Sequence, residues 1–102
     1  MSRRRVGRLD DLPAGQPTLV ETEGARLVLS RVNDDVFACE AECAHQGGPL
    51  GEGRLSGTRL TCPWHGWMFE LKSGTCLMPS RGGPIVTYPV TIEGGDVWIE
   101  LP

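Results

Sequence analysis

The chain has 102 residues, enough for one domain with a modest hydrophobic core but too few for a second domain of ordinary size. Its 14 glycines and 8 prolines, with no long stretch of helical apolar spacing, favour short strands joined by many turns over a helical bundle. A formal net charge of −3 argues against a nucleic-acid binder, which needs a basic surface.

The first predicted element is preceded by three adjacent arginines, Arg3, Arg4 and Arg5. No apolar run follows them, which argues against a twin-arginine export signal, so they indicate a solvated terminus or an edge strand. No segment approaches eighteen apolar residues, and we therefore expect no membrane span. These features predict a cytoplasmic protein, in which cysteines bind metal or pack more often than they form disulfides.

Nine segments have the composition and spacing of strands. They are residues 6–9, 19–21, 26–32, 36–39, 60–62, 67–71, 75–77, 85–90 and 97–101. In the third segment Leu27 and Leu29 fall on one face and Val28 on the other, which predicts a strand. Turn residues predict three hairpins, at residues 33–35, 72–74 and 93–96. Residues 78–84 form a further predicted loop without periodicity.

Two short stretches carry the chemistry, Cys43-x-His45 and, after sixteen residues, Cys62-x-x-His65. Each offers one thiolate and one imidazole, and two of each suit either tetrahedral zinc or an iron-sulfur centre. Structural zinc sites usually take two cysteines from one knuckle, and zinc fingers take both histidines from one helix. The mixed stretches here favour a binuclear cluster, in which one iron takes both sulfurs and the other takes both nitrogens.

This motif, extended by Gly47-Gly48-Pro49 and by Trp67, resembles the Rieske [2Fe-2S] motif, in which two histidines replace two cysteines on one iron. The resemblance covers roughly the last two thirds of the chain. It implies an all-β, Rieske-like fold with an antiparallel sandwich or barrel base. We expect a single domain over residues 1–102, with a small cluster-binding subdomain at residues 42–83.

The resemblance also implies the ligands of the cofactor, which are Cys43, His45, Cys62 and His65 around one [2Fe-2S] cluster per chain. Two ferric ions, two sulfides and two thiolates sum to zero charge, whereas an all-cysteine cluster carries two negative charges. Histidine ligation therefore raises the reduction potential. The ring N–H groups of the ligating histidines become more acidic beside ferric iron, so the potential should fall at alkaline pH.

High-potential respiratory members of this family carry an extra cysteine pair and two hydroxyl donors around the motif. The corresponding positions here are Gly48, Trp64, Trp67 and Phe69, none of which can form the same disulfide or the same hydrogen bonds. Without those donors the added electron is less stabilised, and we predict a potential toward the lower end of the roughly −150 to +300 mV Rieske range.

This pattern is similar to the soluble Rieske ferredoxins of ring-hydroxylating dioxygenase systems. The similarity implies a monomeric one-electron carrier rather than an enzyme. Its partners would be a flavin-containing, NAD(P)H-dependent ferredoxin reductase and a terminal Rieske oxygenase, which act in aromatic hydrocarbon catabolism. Two alternatives stay open: a small subunit of a nitrite reductase-like complex, and a zinc-stabilised binding module.

Five features outside the ligand set have simpler interpretations. Cys39 and Cys76 are predicted to pack as small buried side chains without chemistry; a disulfide between them is the alternative, against which the expected cytosolic location argues. Trp67 is predicted to pack, whereas Trp64 could either pack or relay electrons. The loop at residues 78–84 resembles the proline-containing loop that covers the cluster in this family, and an ordinary surface turn is the alternative.

Overall fold

The computed structural model describes residues 2–22, 24–43, 47–64 and 66–101. Within these ranges the chain forms eleven strands and two 3₁₀ turns, the latter at Leu9–Asp11 and Leu50–Glu52. The strands are β1 (Ser2–Arg8), β2 (Pro17–Thr22), β3 (Ala25–Val32), β4 (Asp35–Glu40), β5 (Arg54–Ser56), β6 (Arg59–Thr61), β7 (Met68–Glu70), β8 (Cys76–Met78), β9 (Thr87–Tyr88), β10 (Val90–Glu93) and β11 (Asp96–Leu101).

The strands pair antiparallel in three sheets, which confirms the predicted all-β fold. Two sheets form the base, with strand orders β1-β11-β10 and β2-β3-β4-β9. The third sheet, with the order β5-β6-β7-β8, is a small meander, and the second half of the ligand motif lies between its two central strands, β6 and β7. No helix in the described part of the chain is long and apolar enough to cross a membrane.

Strand β3 contributes to two hydrophobic cores because its opposite faces are both covered. Leu27 and Leu29 lie in the core that joins the two base sheets, together with Val97 of β11. Val28 lies on the opposite face of β3, in the core that also contains Phe69 of the small meander. All these side chains are fully buried, and burial of each Leu or Val stabilises the fold by about 1.5–3 kcal/mol. The predicted alternation along this strand is confirmed.

The first strand begins earlier than predicted, at Ser2 rather than at residue 6. It pairs with β11 from Ser2 opposite Leu101 to Arg8 opposite Asp96, with a register shift between Arg5 and Gly7. Strand β1 lies at the edge of its sheet, as the arginines indicated. Charged side chains on an edge strand discourage pairing with another chain.

The predicted strand over residues 85–90 is wrong, because two short strands in different sheets occupy this region. Strand β9 pairs with β4, whereas β10 pairs with β11. Pro89 lies between them, and without a backbone N–H it cannot continue a ladder. The chain therefore changes sheet at this proline. Strand β5 was not predicted at all, since its three residues are too few to show a period.

Candidate metal centre

The first half of the motif begins at Cys43, and we call its described residues, Cys43, Gly47 and Gly48, the first cysteine loop. The Cys43 backbone N–H donates to the Gly48 carbonyl at 2.7 Å, and the Gly47 N–H donates back to the Cys43 carbonyl at 3.0 Å. Gly47 has a φ of +73°, a conformation that glycine adopts without steric cost. These two hydrogen bonds hold the backbone of Cys43 beside Gly47 and Gly48.

The second half of the motif has the same backbone hydrogen bond, and we call its described residues, 62–64 and 66–67, the second cysteine loop. The Cys62 N–H donates to the Trp67 carbonyl at 2.7 Å, five residues on, as in the first loop. Gly66 has a φ of +69° and occupies the same fifth position that Gly47 occupies. In both cysteine loops, the backbone N–H of the cysteine thus donates to the carbonyl five residues later.

The two cysteine loops are in contact with each other. A Cβ placed on Gly48 would lie 2.6 Å from the Cys62 sulfur and 3.2 Å from the Trp64 side chain. Only glycine leaves room at this position, so the first loop rests directly on the sulfur of the second. This close approach brings the Cys43 loop beside the Cys62 thiol.

Both cysteines are buried thiols outside any disulfide. Cys43 is 3% exposed and Cys62 is 1% exposed, and neither forms a disulfide. The Trp64 backbone N–H donates to the Cys62 sulfur at 3.4 Å. A backbone donor of this kind stabilises negative charge on a thiolate sulfur, which a metal ligand requires.

The predicted ligands His45 and His65 lie outside the described residues. The ranges that the structure does describe contain two of the four predicted ligands and hold no group of three or more metal-binding side chains. Two buried, uncross-linked thiols on touching glycine loops fit a group ligated by sulfur. A site for a sulfur-ligated cluster is therefore compatible with the described half of the predicted ligand set.

The aromatic residues around the loops have different roles. Trp67 packs against the core of the small meander, with its ring centroid 6.5 Å from that of Phe69, which confirms the packing prediction. Trp64 is 49% exposed. The second cysteine loop thus presents one tryptophan to the core and the other to solvent.

The two remaining cysteines are buried among apolar side chains, which confirms their predicted packing. Cys39 is fully buried, and this burial, with Glu40 nearby, raises the pKa of the Cys39 thiol to about 12. Cys76 is 5% exposed, and its sulfur donates to the Pro79 carbonyl at 3.2 Å. Both cysteines belong to the core that includes Cys43 and Cys62.

Sequence reasoning placed Gly48 in the motif without predicting its contact with Cys62, and it missed the contact that Gly82 makes. Gly48 separates the cysteine loops, and Gly82 of the 78–84 loop packs against Cys76 and Trp67. The signal available was the pairing of each with a neighbouring glycine, in Gly47-Gly48 and Gly82-Gly83. A glycine pair indicates a loop, but it does not tell which member needs a positive φ and which needs the missing Cβ.

Comparison with known proteins agrees with this geometry. Residues 2–89 match the Rieske [2Fe-2S] domain family. The chain is 34% identical to the 3-phenylpropionate/cinnamic acid dioxygenase ferredoxin subunit of Escherichia coli (strain K12), across 100% of this chain and 96% of the relative.

Two solved structures are also similar. The Sphingomonas yanoikuyae B1 ferredoxin superposes with a TM-score of 0.90 at 33% identity, covering 99% of this chain and 100% of that one. A chain in the complex of reduced oxygenase and oxidized ferredoxin of carbazole 1,9a-dioxygenase superposes with a TM-score of 0.87 at 30% identity, covering 95% and 91%. The chain therefore belongs to the Rieske [2Fe-2S] family, as a ferredoxin of the kind that serves dioxygenases, an electron carrier with a [2Fe-2S] cofactor rather than a catalyst.

Proposed function

We propose that Cys43, His45, Cys62 and His65 hold the single [2Fe-2S] cluster of this chain, with both cysteines on one iron and both histidines on the other. The observation that supports this assignment is the contact between the two cysteine loops at Gly48, together with the burial of Cys43 and Cys62 in the same core without a disulfide. The arrangement of the sheets supports a single domain over residues 1–102, with residues 42–83 as the cluster-binding subdomain.

When bound, the cluster supplies a one-electron couple. The chain's own residues control how well the added negative charge is tolerated. The Trp64 N–H points at the Cys62 sulfur, where it favours that charge. Burial of both thiols excludes water from the sulfur side and opposes the charge. With no hydroxyl donor at Trp67 or Phe69, burial dominates, which supports a low potential for a Rieske protein.

We infer that electrons arrive from a flavin-containing, NAD(P)H-dependent ferredoxin reductase and leave to a terminal Rieske oxygenase that acts on an aromatic compound. Support comes from the relatives, of which one is named a dioxygenase ferredoxin subunit and another is a chain from a complex of oxygenase and ferredoxin. Trp64, half exposed beside Cys62, provides an aromatic contact for a transient partner. We propose that the carrier acts as a cytoplasmic monomer.

The first experiment is a visible and low-temperature EPR spectrum of the purified protein before and after dithionite, with iron and sulfide quantified. We expect about two irons and two sulfides per chain and a reduced-state signal with an average g below the free-electron value. A colourless protein with bound zinc would contradict the proposal and favour the zinc-stabilised module.

A matched pair of variants tests the ligand assignment. Cys43→Ser removes a proposed ligand and should leave the purified protein with little cluster, because an alcohol is a poor ligand for this iron. Cys39→Ser changes an equally buried cysteine outside the set and should keep the spectrum. Loss of colour in Cys39→Ser with retention in Cys43→Ser would overturn the assignment.

The partner proposal needs its own measurement. Reduction of the purified carrier by a flavin reductase with NAD(P)H, followed by reoxidation with a terminal oxygenase, should proceed with the carrier eluting as a monomer. Stable co-purification with one large reductase subunit would instead favour the nitrite reductase-like complex.

A further inference from the structure

The loop between β8 and Ile85, residues 79–84, contacts the second cysteine loop at Gly82. A Cβ placed on Gly82 would lie 2.5 Å from the Cys76 sulfur and 2.6 Å from Cζ3 of Trp67. No real Cβ is found this close to such atoms, so the backbone of Gly82 fills the space between the thiol and the indole. The contact exists only because residue 82 has no side chain.

The same loop is held by two hydrogen bonds that converge on one carbonyl. The Cys76 thiol donates to the Pro79 carbonyl at 3.2 Å, and the Gly82 N–H donates to it at 2.9 Å. Cys76 therefore contacts the loop both through this bond and through its packing on Gly82. The thiol is 5% exposed and is not a predicted cluster ligand. We therefore interpret these two contacts with the loop as its structural role.

Trp67 connects the loop to the site. Its carbonyl accepts the Cys62 N–H at 2.7 Å, while its ring contacts Gly82 and lies near Phe69, with the ring centroids 6.5 Å apart. A displacement of the 79–84 loop would expose the indole atoms that contact Gly82, Cζ3 and Cε3. Water would then reach the residue whose backbone holds Cys62.

The loop is anchored independently at its far end. The Ile85 N–H donates to the Gly74 carbonyl at 3.0 Å, and the Val86 N–H donates to a Glu40 carboxylate oxygen at 2.5 Å. Ile85 is itself buried. A change at Gly82 should therefore move residues 79–84 without unfolding the strands on either side.

We propose that Cys76 and Trp67 are positioning residues that hold the 79–84 loop against the second cysteine loop through Gly82, and that this contact keeps water from the Cys62 side of the cluster. The effect on the cluster rests on the proposed function, whereas the contact itself does not. Water near the site would stabilise the added electron, so opening the loop should raise the reduction potential.

The test compares Gly82→Ala with Gly83→Ala. Gly83 has no neighbouring atom within 4 Å of its would-be Cβ, and neither glycine has a positive φ, so Gly83→Ala is a matched control for backbone effects. In native protein we expect alkylation of Cys76 by iodoacetamide, mapped by peptide mass spectrometry, to be about tenfold faster in Gly82→Ala. Gly83→Ala should match the wild-type rate, and only Gly82→Ala should show a higher midpoint potential.

Cys76 variants keep the proposal testable if Gly82→Ala does not fold. Cys76→Ala removes the donor to Pro79 and should speed tryptic cleavage after the exposed Arg81, whereas Cys76→Ser retains a donor and should stay near the wild-type rate. Equal alkylation and equal potentials in the two glycine variants would overturn the proposal, and so would equal cleavage in the two Cys76 variants. A wild-type protein without a cluster would refute the proposed function, while alkylation and cleavage would still report on the loop.

Discussion

Individual glycines at the site serve two separate physical purposes. Gly47 and Gly66 occupy positive-φ positions that allow each cysteine loop to turn. Gly48 and Gly82 have ordinary backbone conformations but lie where a Cβ would overlap sulfur. A substitution by alanine therefore strains the backbone at the first pair and separates packed elements at the second pair.

Gly48→Ala should weaken cluster binding, since its Cβ would lie 2.6 Å from the Cys62 sulfur and the two cysteine loops would have to move apart. Displaced ligands hold a metal about tenfold more weakly, as is typical when the support of a ligand is disturbed. The measurement is the rate at which the visible absorbance bleaches in excess chelator. Gly83→Ala serves as the control, and equal bleaching rates in both variants would show that the loop contact is dispensable.

At the scale of secondary-structure elements, turns with strong local chemistry were predictable and long-range pairing was not. The hairpin between β3 and β4 is confirmed, because Asn33 supplies the positive φ of its turn. The split at Pro89 was missed, since apolar residues continue on both sides of it and only the tertiary pairing shows the change of sheet.

The candidate site was predictable to a similar extent. The spacing of Cys43 and Cys62 with their histidines indicated the cofactor, because the ligand types and their separation along the chain can be read without knowing the fold. The contact of Gly82 with Trp67 was not predictable, because it joins two loops through an absent side chain. The structure places both predicted cysteines in contacting loops, while His45 and His65 lie outside the described residues and their placement stays a prediction.

The β10–β11 hairpin offers a test at this scale. Gly94 and Gly95 both have positive φ, +58° and +84°, and no atom lies within 4 Å of a Cβ built on Gly94. Gly94→Val should lower the free energy of unfolding by about 1–2 kcal/mol from backbone strain, because no packing changes there. Gly94→Asn should be nearly neutral, since asparagine tolerates this conformation. Thermal unfolding followed by circular dichroism measures both, and equal melting temperatures would contradict a strained turn.

At the scale of the whole molecule, the two site cysteines are part of one of the two hydrophobic cores that stabilise the fold. Cys43 and Cys62 belong to the same buried cluster of side chains as Val28, Phe69 and Cys39. Strand β3 contributes to this core and also to the core between the base sheets, so it links the site to the base. Loosening of the core should therefore release the cluster, and loss of the cluster should weaken the core.

Cys39 makes this shared core sensitive to alkaline pH. Its folded pKa of about 12 lies above the ordinary value of 9.0, so the unfolded chain loses this proton first as the pH rises. Stability contributed by the neutral thiol is complete below pH 9 and declines between pH 9 and 12 by about 1.4 kcal/mol per pH unit. Burial, with Glu40 and Cys39 nearby, also raises the pKa of Tyr88, which adds to the alkaline loss.

The effect of Cys39→Ala on the free energy of unfolding should therefore change sign between pH 7 and pH 11. At pH 7 the variant should be less stable than the wild type by about 1 kcal/mol, because the missing sulfur leaves a small cavity. At pH 11 the wild type should have lost about 3 kcal/mol through Cys39 and become the less stable of the two. Melting temperatures at both pH values measure the reversal, with an unchanged visible spectrum at pH 7 as the control for an intact site. A stability difference that keeps its sign and size at both pH values would show that the Cys39 thiol ionises as easily in the folded chain as in the unfolded one, which its complete burial opposes.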